Sequence, residues 1–188
     1  LCHEFHRAHG AIPGPLNYRG YPKSICTSVN HVVCHGIPGD KVLKDGDIVN
    51  IDVSPIVDGW FGDSSRMFFV GDVKIKAQRL VEHTYHAMMK GIEAVKPGAT
   101  LGDVGYAIQS YAESHRFSVV RDFCGHGIGR VFHQAPNVMH FGEPGVDVQG
   151  TGADSASLRA AGIERSVGIV AGNADDLKNL AIAITARD

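Results

Sequence analysis

Two aspartates, Asp52 and Asp63, have the residue type and spacing that most directly indicate chemistry in this sequence. Both lie on the strands of one predicted β-hairpin. The expected register places Asp52 opposite Ser65 and puts Asp63 at the diagonal position on the same sheet face, within about 7 Å. Two carboxylates this close repel each other unless one is protonated or a cation lies between them. The pair therefore predicts either a shared proton or a bound metal ion.

A histidine is a third candidate for the same chemistry. His126 lies in the glycine-rich run 124–130, where residues without side chains let the backbone pass close to a ligand. Carboxylate and imidazole donors suit Mn, Fe, Co or Zn better than soft copper ions. Spacing alone leaves another interpretation open, a solvated carboxylate pair and an ordinary turn histidine. The run also lacks the last glycine of a GxGxxG sequence, so it gives weak support to dinucleotide binding.

The hairpin that carries the aspartates is the clearest element in the sequence. Strands are predicted over 47–54 and 60–70, joined by Asp58-Gly59, a dipeptide typical of two-residue turns. With this turn Val57 faces Trp60, and every pair of facing residue numbers has the sum 117. Pro55 leaves open a bulge that would shift the register by one residue.

Helices and short strands are predicted around this hairpin, which indicates an α/β fold with an antiparallel sheet. Thr100 followed by Asp103 is a capping pattern for one of the helices. Helices are expected over 1–10, 73–95 and 100–114, strands over 32–38 and 117–123, a turn over 124–130, and a short C-terminal α/β tail after residue 145.

Composition excludes several classes of protein. The 188 residues are 44% hydrophobic and 20% charged, with a net charge of −2. No apolar run approaches the roughly 20 residues that a membrane-spanning helix needs. No basic run could neutralise a phosphate backbone, so neither a membrane nor a nucleic acid is expected as partner. The four cysteines show no CxxC spacing and the first residues are charged, which predicts a reduced, cytoplasmic protein.

The distribution of residue types indicates a boundary near residue 145. All histidines, cysteines, methionines, aromatic residues and prolines end by Pro144. We therefore expect two regions, 1–145 and 146–188.

Residues 1–145 resemble type I methionine aminopeptidases in several ordered runs. The matching runs are 17–30, 32–38, 43–53, 62–67 and 124–130 with Phe132 and His133. The resemblance implies the pita-bread α/β fold, with two related halves around a centre of two divalent metal ions, Co, Mn, Fe or Zn. It also implies removal of the N-terminal methionine from new protein chains whose second residue is small.

The same resemblance implies roles for individual residues. Asp52 would be a bidentate ligand of one metal, Asp63 a bridging ligand and His126 a ligand of the other metal. His35 and His133 would contact substrate and stabilise the developing oxyanion. The pocket for the methionine side chain would be shaped by Tyr18, Tyr21, Cys26 and Phe132.

One part of the family pattern is missing from this sequence. The family uses two further glutamate ligands, the first in a Thr-Ile-Glu-Pro type strand about 33 residues after the histidine and the second before His-Thr. Neither pattern occurs here, and position 159 is Arg159. We therefore expect three protein ligands where the family has five and one weakly bound metal ion or none, so that an inactive chain is an open alternative.

The C-terminal region is similar to a different family. The run 149–164 and residues 175–182 resemble the second half of a TrkA-N or RCK nucleotide-binding domain, without its glycine-rich first turn. A second hypothesis follows, a noncatalytic chimera whose tail binds a nucleotide or a partner chain. Half of a pita-bread fold would also expose hydrophobic surface, which predicts self-association.

Overall fold

The structure, a computed structural model, describes residues 1–146. The described residues divide into two compact units: Leu1–Val81 with Ile128–Gln134 form the first, and Glu82–Gly127 with residues 135–146 form the second. The predicted α/β tail and its TrkA-N/RCK resemblance fall, apart from Val146, outside the described residues.

The first unit contains helix α1 (Cys2–Ala8) and two antiparallel sheets. One sheet has the order β1 (Ile12–Pro13), β4 (Pro55–Val57), β5 (Trp60–Phe61). The other has the order β2 (Cys26–Val29), β3 (Ile48–Val53), β6 (Ser64–Phe69). The apolar side chains of Val29, Ile48 and Val49 are buried in the second sheet. Their burial stabilises the sheet from which Asp52 projects.

The predicted hairpin register is confirmed. Val57 pairs with Trp60, and Asp52 pairs with Ser65. Asp58 and Gly59 have φ angles of 50° and 78°, the left-handed values that a tight two-residue hairpin turn requires. Facing residue numbers keep the sum 117 on both sides of Ser54, where the chain passes from β3 to β4. The bulge considered at Pro55 therefore does not shift the hairpin register.

The second unit contains two helices and a short two-stranded sheet. Helix α2 (Ile75–Ala94) begins in the first unit, and α3 (Leu101–Ser114) follows it. At Thr100 the predicted cap is confirmed: the Thr100 hydroxyl accepts from the Asp103 N–H, while the Asp103 carboxylate accepts from the Thr100 N–H. Gly91 packs closely against Ile108. Strand β7 (Gly125–Gly127) pairs with β8 (Gln134–Val138).

Three local predictions were wrong. Residues 32–38 form no strand, because His35 adopts a left-handed φ of 55° that interrupts an extended chain. Residues 117–123 form no strand either, since no strand within residues 1–146 forms a ladder with them. Conversely, His126 lies in strand β7 rather than in a turn, because its neighbours pair with β8.

Within residues 1–146, no helix combines the length and the apolar character needed to cross a bilayer.

Candidate functional site

The sheet of β2, β3 and β6 positions the two aspartates. Asp52 lies on β3 between Cys26 of β2 and Ser65 of β6 and is half-buried. Asp63 is exposed and comes immediately before β6, opposite Ser54 in the continuing hairpin register. The Ser54 hydroxyl donates a hydrogen bond to Asp63 Oδ1 at 2.9 Å. Strand β3 thus positions Asp52, and the Ser54 hydroxyl holds the Asp63 carboxylate.

The charges of both carboxylates affect the pKa of one thiol, that of Cys26. Burial raises the pKa of Cys26, and the negative charges of Asp52 and Asp63 raise it further, although a hydrogen bond with Tyr21 opposes the shift. Of the two aspartates, Asp52 is the direct partner of Cys26 across the β2–β3 ladder. The Cys26 thiol is therefore protonated and neutral beside two acidic groups.

Tyr21 and Cys34 complete this cluster. The Tyr21 hydroxyl lies 2.9 Å from the Gly36 carbonyl oxygen and 3.1 Å from that of Ile25. Burial first, then the hydrogen bond with Cys26 and the charge of Asp52, raise the pKa of Tyr21 well above its ordinary range. Burial also raises the pKa of Cys34 to about 11, with smaller contributions from Cys26 and Asp52. Cys34 was not among the predicted site residues, and its position next to His35 was the only signal for it.

A second group of predicted residues meets in an aromatic stack in the same unit. Phe132 is buried, and its ring centroid lies 4.3 Å from that of His133 and 5.0 Å from that of Tyr18. Nδ1 of His133 lies 3.0 Å from the Tyr18 hydroxyl. The ring of Phe61, which the sequence analysis did not identify, lies 4.8 Å from Phe132. These rings form an apolar wall that carries one polar histidine.

The loop 128–134 is tied to the hairpin. The Phe61 N–H donates to the Gly129 carbonyl at 2.8 Å, and the Arg130 guanidinium lies over the Trp60 ring at 4.7 Å from its centroid. These contacts bring Phe132 and His133 to the unit that carries the aspartates, although more than sixty residues separate the two segments in the chain.

The other two predicted histidines have different surroundings. His35 is exposed and precedes Gly36, whose N–H donates to the Ser28 hydroxyl at 3.1 Å. His126, in the second unit, has Nδ1 at 2.9 Å from the Gly127 carbonyl oxygen. Because a carbonyl only accepts, Nδ1 carries the proton, and the lone pair of the neutral ring lies on Nε2. This is a form in which histidine binds metals.

Among residues 1–146, no three His, Cys, Asp or Glu side chains are grouped so that they could hold a metal ion together. Asp52 and Asp63 supply two oxygen-donor side chains, and carboxylate oxygens are hard ligands that suit divalent ions such as Mn²⁺.

Comparison with known protein families shows which family the chain is part of. The pattern of metallopeptidase family M24 matches residues 1–159. The chain belongs to metallopeptidase family M24. An M24 metallopeptidase is a peptidase whose family implies divalent metal ions, in agreement with the oxygen donors of Asp52 and Asp63.

Individual M24 relatives are similar over most of the chain. A methionine aminopeptidase from Rickettsia prowazekii is 70% identical over 145 residues, which are 77% of this chain and 56% of the relative. The crystal structure of methionine aminopeptidase from Rickettsia prowazekii has a TM-score of 0.77 at 68% identity, covering 79% of this chain and 60% of that one. A prolidase from Pyrococcus furiosus, 24% identical, has a TM-score of 0.57 over 63% of this chain and 36% of its own, and shows the fold alone.

These relatives confirm the predicted pita-bread α/β fold with antiparallel sheets. The chain spans little more than half the length of the relative that it matches at 70% identity. The comparisons support the aminopeptidase resemblance and do not favour the noncatalytic chimera. Nothing in them bears on the TrkA-N/RCK resemblance.

Proposed function

We propose that this M24 chain removes the N-terminal methionine from peptides and nascent proteins. The observation that carries the proposal is the hairpin geometry, which places Asp52 between Cys26 and Ser65 and holds Asp63 by the Ser54 hydroxyl. Two oxygen donors beside an apolar pocket are what a metal-dependent aminopeptidase needs. The name of the 70% identical relative, methionine aminopeptidase, supports the choice of substrate.

Asp52 and Asp63 would hold the divalent ion, with His126 as a further ligand by resemblance. Ionised carboxylates provide the negative charge that a divalent cation prefers, and the Nδ1 proton of His126 leaves its Nε2 as donor. The ion, when bound, supplies Lewis-acid chemistry for hydrolysis of the scissile amide. The two glutamate patterns of the family do not occur in this sequence. The proposal therefore uses three protein ligands.

The methionine side chain would bind against Tyr18, Tyr21, Cys26 and Phe132. An unbranched thioether is apolar and polarisable, and it packs well against aromatic rings. Because the pKa of Cys26 is raised, its neutral thiol adds no charge to the wall of this pocket. We assign His133 and His35 to the scissile amide, where an imidazole N–H can donate to the oxyanion that develops during hydrolysis.

The test combines metal analysis with methionine release from a Met-Ala peptide in excess Mn²⁺ or Co²⁺. We expect bound metal and released methionine for the chain, and loss of at least about a hundredfold in release for Asp52→Asn and Asp63→Asn. Asp58→Asn is the matched control, because it removes a carboxylate from the same hairpin while Asn-Gly suits the turn equally well. Absence of release with excess metal would overturn the proposal.

Self-association stays a prediction. Val33, Trp60 and Phe68 are exposed in the first unit, and exposed apolar side chains favour association. Sedimentation velocity at two concentrations tests it, and a monomer at both would contradict it.

A further inference from the structure

We infer that Ser54 is a positioning residue, which orients the Asp63 carboxylate for metal binding. The inference rests on the proposed function, since it requires Asp63 to be a ligand. Nothing about Ser54 marks it as functional in isolation. Its role follows from the place that it occupies in the tertiary structure.

The Ser54 side chain is buried and directed at Asp63. The residue is only 3% exposed, and its hydroxyl donates to Asp63 Oδ1 at 2.9 Å. Leaving a buried hydroxyl without a partner is costly, so the bond to Asp63 is strongly preferred to an unpaired hydroxyl. Asp63 itself is exposed and, without this bond, its carboxylate would turn more freely about its side-chain torsions.

The backbone of Ser54 is fixed as well. Its carbonyl accepts from the Gly14 N–H at 2.8 Å, and a Cβ added to Gly14 would come within 2.7 Å of that carbonyl oxygen. Ser54 also lies at the passage from β3 to β4, which belong to different sheets. Because the main chain of Ser54 is fixed and its side chain is buried, its hydroxyl is a well-positioned donor that orients the Asp63 carboxylate.

A ligand that is oriented before binding loses less conformational freedom when the ion arrives. Removal of a side chain that orients a metal ligand typically weakens metal affinity by about 10- to 100-fold. We therefore expect Ser54→Ala to bind Mn²⁺ at least about tenfold more weakly than the unchanged chain.

The experiment measures Mn²⁺ affinity by calorimetry and by the electron paramagnetic resonance signal of free Mn²⁺. Ser28→Ala is the matched control, since Ser28 is equally buried but its hydroxyl accepts from the Gly36 N–H. We expect Ser28→Ala to retain the affinity of the unchanged chain. Equal losses in Ser54→Ala and Ser28→Ala would overturn the inference.

A second pair of variants compares two side chains of the same shape, one with the hydroxyl and one without it. Ser54→Thr and Ser54→Val have nearly the same volume, and only Thr can donate to Asp63. We expect the Thr variant to bind Mn²⁺ about tenfold more tightly than the Val variant, even if Ser54→Ala does not fold. Equal affinities for this pair would also overturn the inference.

Asp63→Asn separates this inference from the proposed function. If Asp63→Asn, Ser54→Ala and Ser54→Val lose affinity while Ser54→Thr binds more tightly than Ser54→Val, both hold. If only Asp63→Asn loses affinity, the role of Ser54 fails and the proposed function stands. If Asp63→Asn keeps the affinity of the unchanged chain, or the unchanged chain binds no Mn²⁺, both fail.

Discussion

The hydroxyl of Tyr18 lies 3.0 Å from Nδ1 of His133, across 115 residues of chain. The contact fixes the orientation of the imidazole. Tyr18 also packs against the buried ring of Phe132. It therefore belongs both to the proposed pocket and to the group that would act on the scissile amide.

Tyr18→Phe is expected to reduce kcat for methionine release by up to about tenfold, the equivalent of one hydrogen bond, because the imidazole of His133 loses the hydroxyl that orients it. KM should change little, because the ring stays in the pocket. Tyr21→Phe is the control: its hydroxyl bonds to main-chain carbonyls, so its loss should reduce stability and leave kcat nearly unchanged. Equal kcat values for Tyr18→Phe and the unchanged chain would contradict this role.

Phe132 should contribute more to stability than any exposed phenylalanine. It is buried and contacts the rings of Tyr18, Phe61 and His133. Phe132→Ala is expected to reduce the free energy of unfolding by about 3 kcal/mol. Phe68→Ala, at a position that is 47% exposed, should cost clearly less. Urea denaturation compares the two, and similar losses would be evidence against a packed stack.

Gly91→Ala should destabilise the second unit, although alanine normally favours a helix by about 1 kcal/mol over glycine. A Cβ at Gly91 would meet the Ile108 side chain at 2.7 Å, and overpacking of this kind costs about 1–3 kcal/mol. The double variant Gly91→Ala with Ile108→Ala removes the clash. A double-mutant cycle should show a favourable coupling between the two changes, and simple additivity would contradict the contact.

His140 should make stability depend on pH. Burial lowers its pKa from the ordinary 6.5, and a hydrogen bond with the backbone of Val120 only partly opposes this. A group whose pKa is lower in the folded state binds protons preferentially in the unfolded chain. The stabilisation is therefore complete above pH 6.5 and is lost as the pH falls through the lower, folded pKa.

The measurement is the free energy of unfolding from pH 8 to pH 5, for the unchanged chain and for His140→Asn. We expect the variant to lose this part of the pH dependence. His9→Asn, at an exposed site, should retain it. If the pH dependence of the unfolding free energy survives in His140→Asn, groups other than His140 cause it.

The four cysteines should react at different rates. Cys2 is exposed, whereas burial raises the pKa of Cys26 and Cys124, and that of Cys34 to about 11. Since the thiolate is the reactive form, iodoacetamide at pH 8 should label Cys2 first. In guanidinium chloride all four should react at similar rates. Labelling of Cys34 as fast as Cys2 in the folded chain would contradict the burial.

The sequence by itself determined the features that depend on neighbouring residues. Asp58-Gly59 determines a two-residue turn, and the turn determines the register that places Asp52 opposite Ser65. Thr100 and Asp103 likewise determine the start of α3 through bonds that span three residues. These predictions were confirmed because the energies that decide them are local.

Tertiary structure decided which distant side chains meet. Ser54 could have been inferred from the register that sets it opposite Asp63, but its burial and the close approach of Gly14 to its carbonyl come from tertiary packing. Strand β7 pairs with β8, whereas no described strand pairs with residues 117–123. An extended segment gains stability only from a neighbour, and a sequence does not state which neighbour the folded chain will provide.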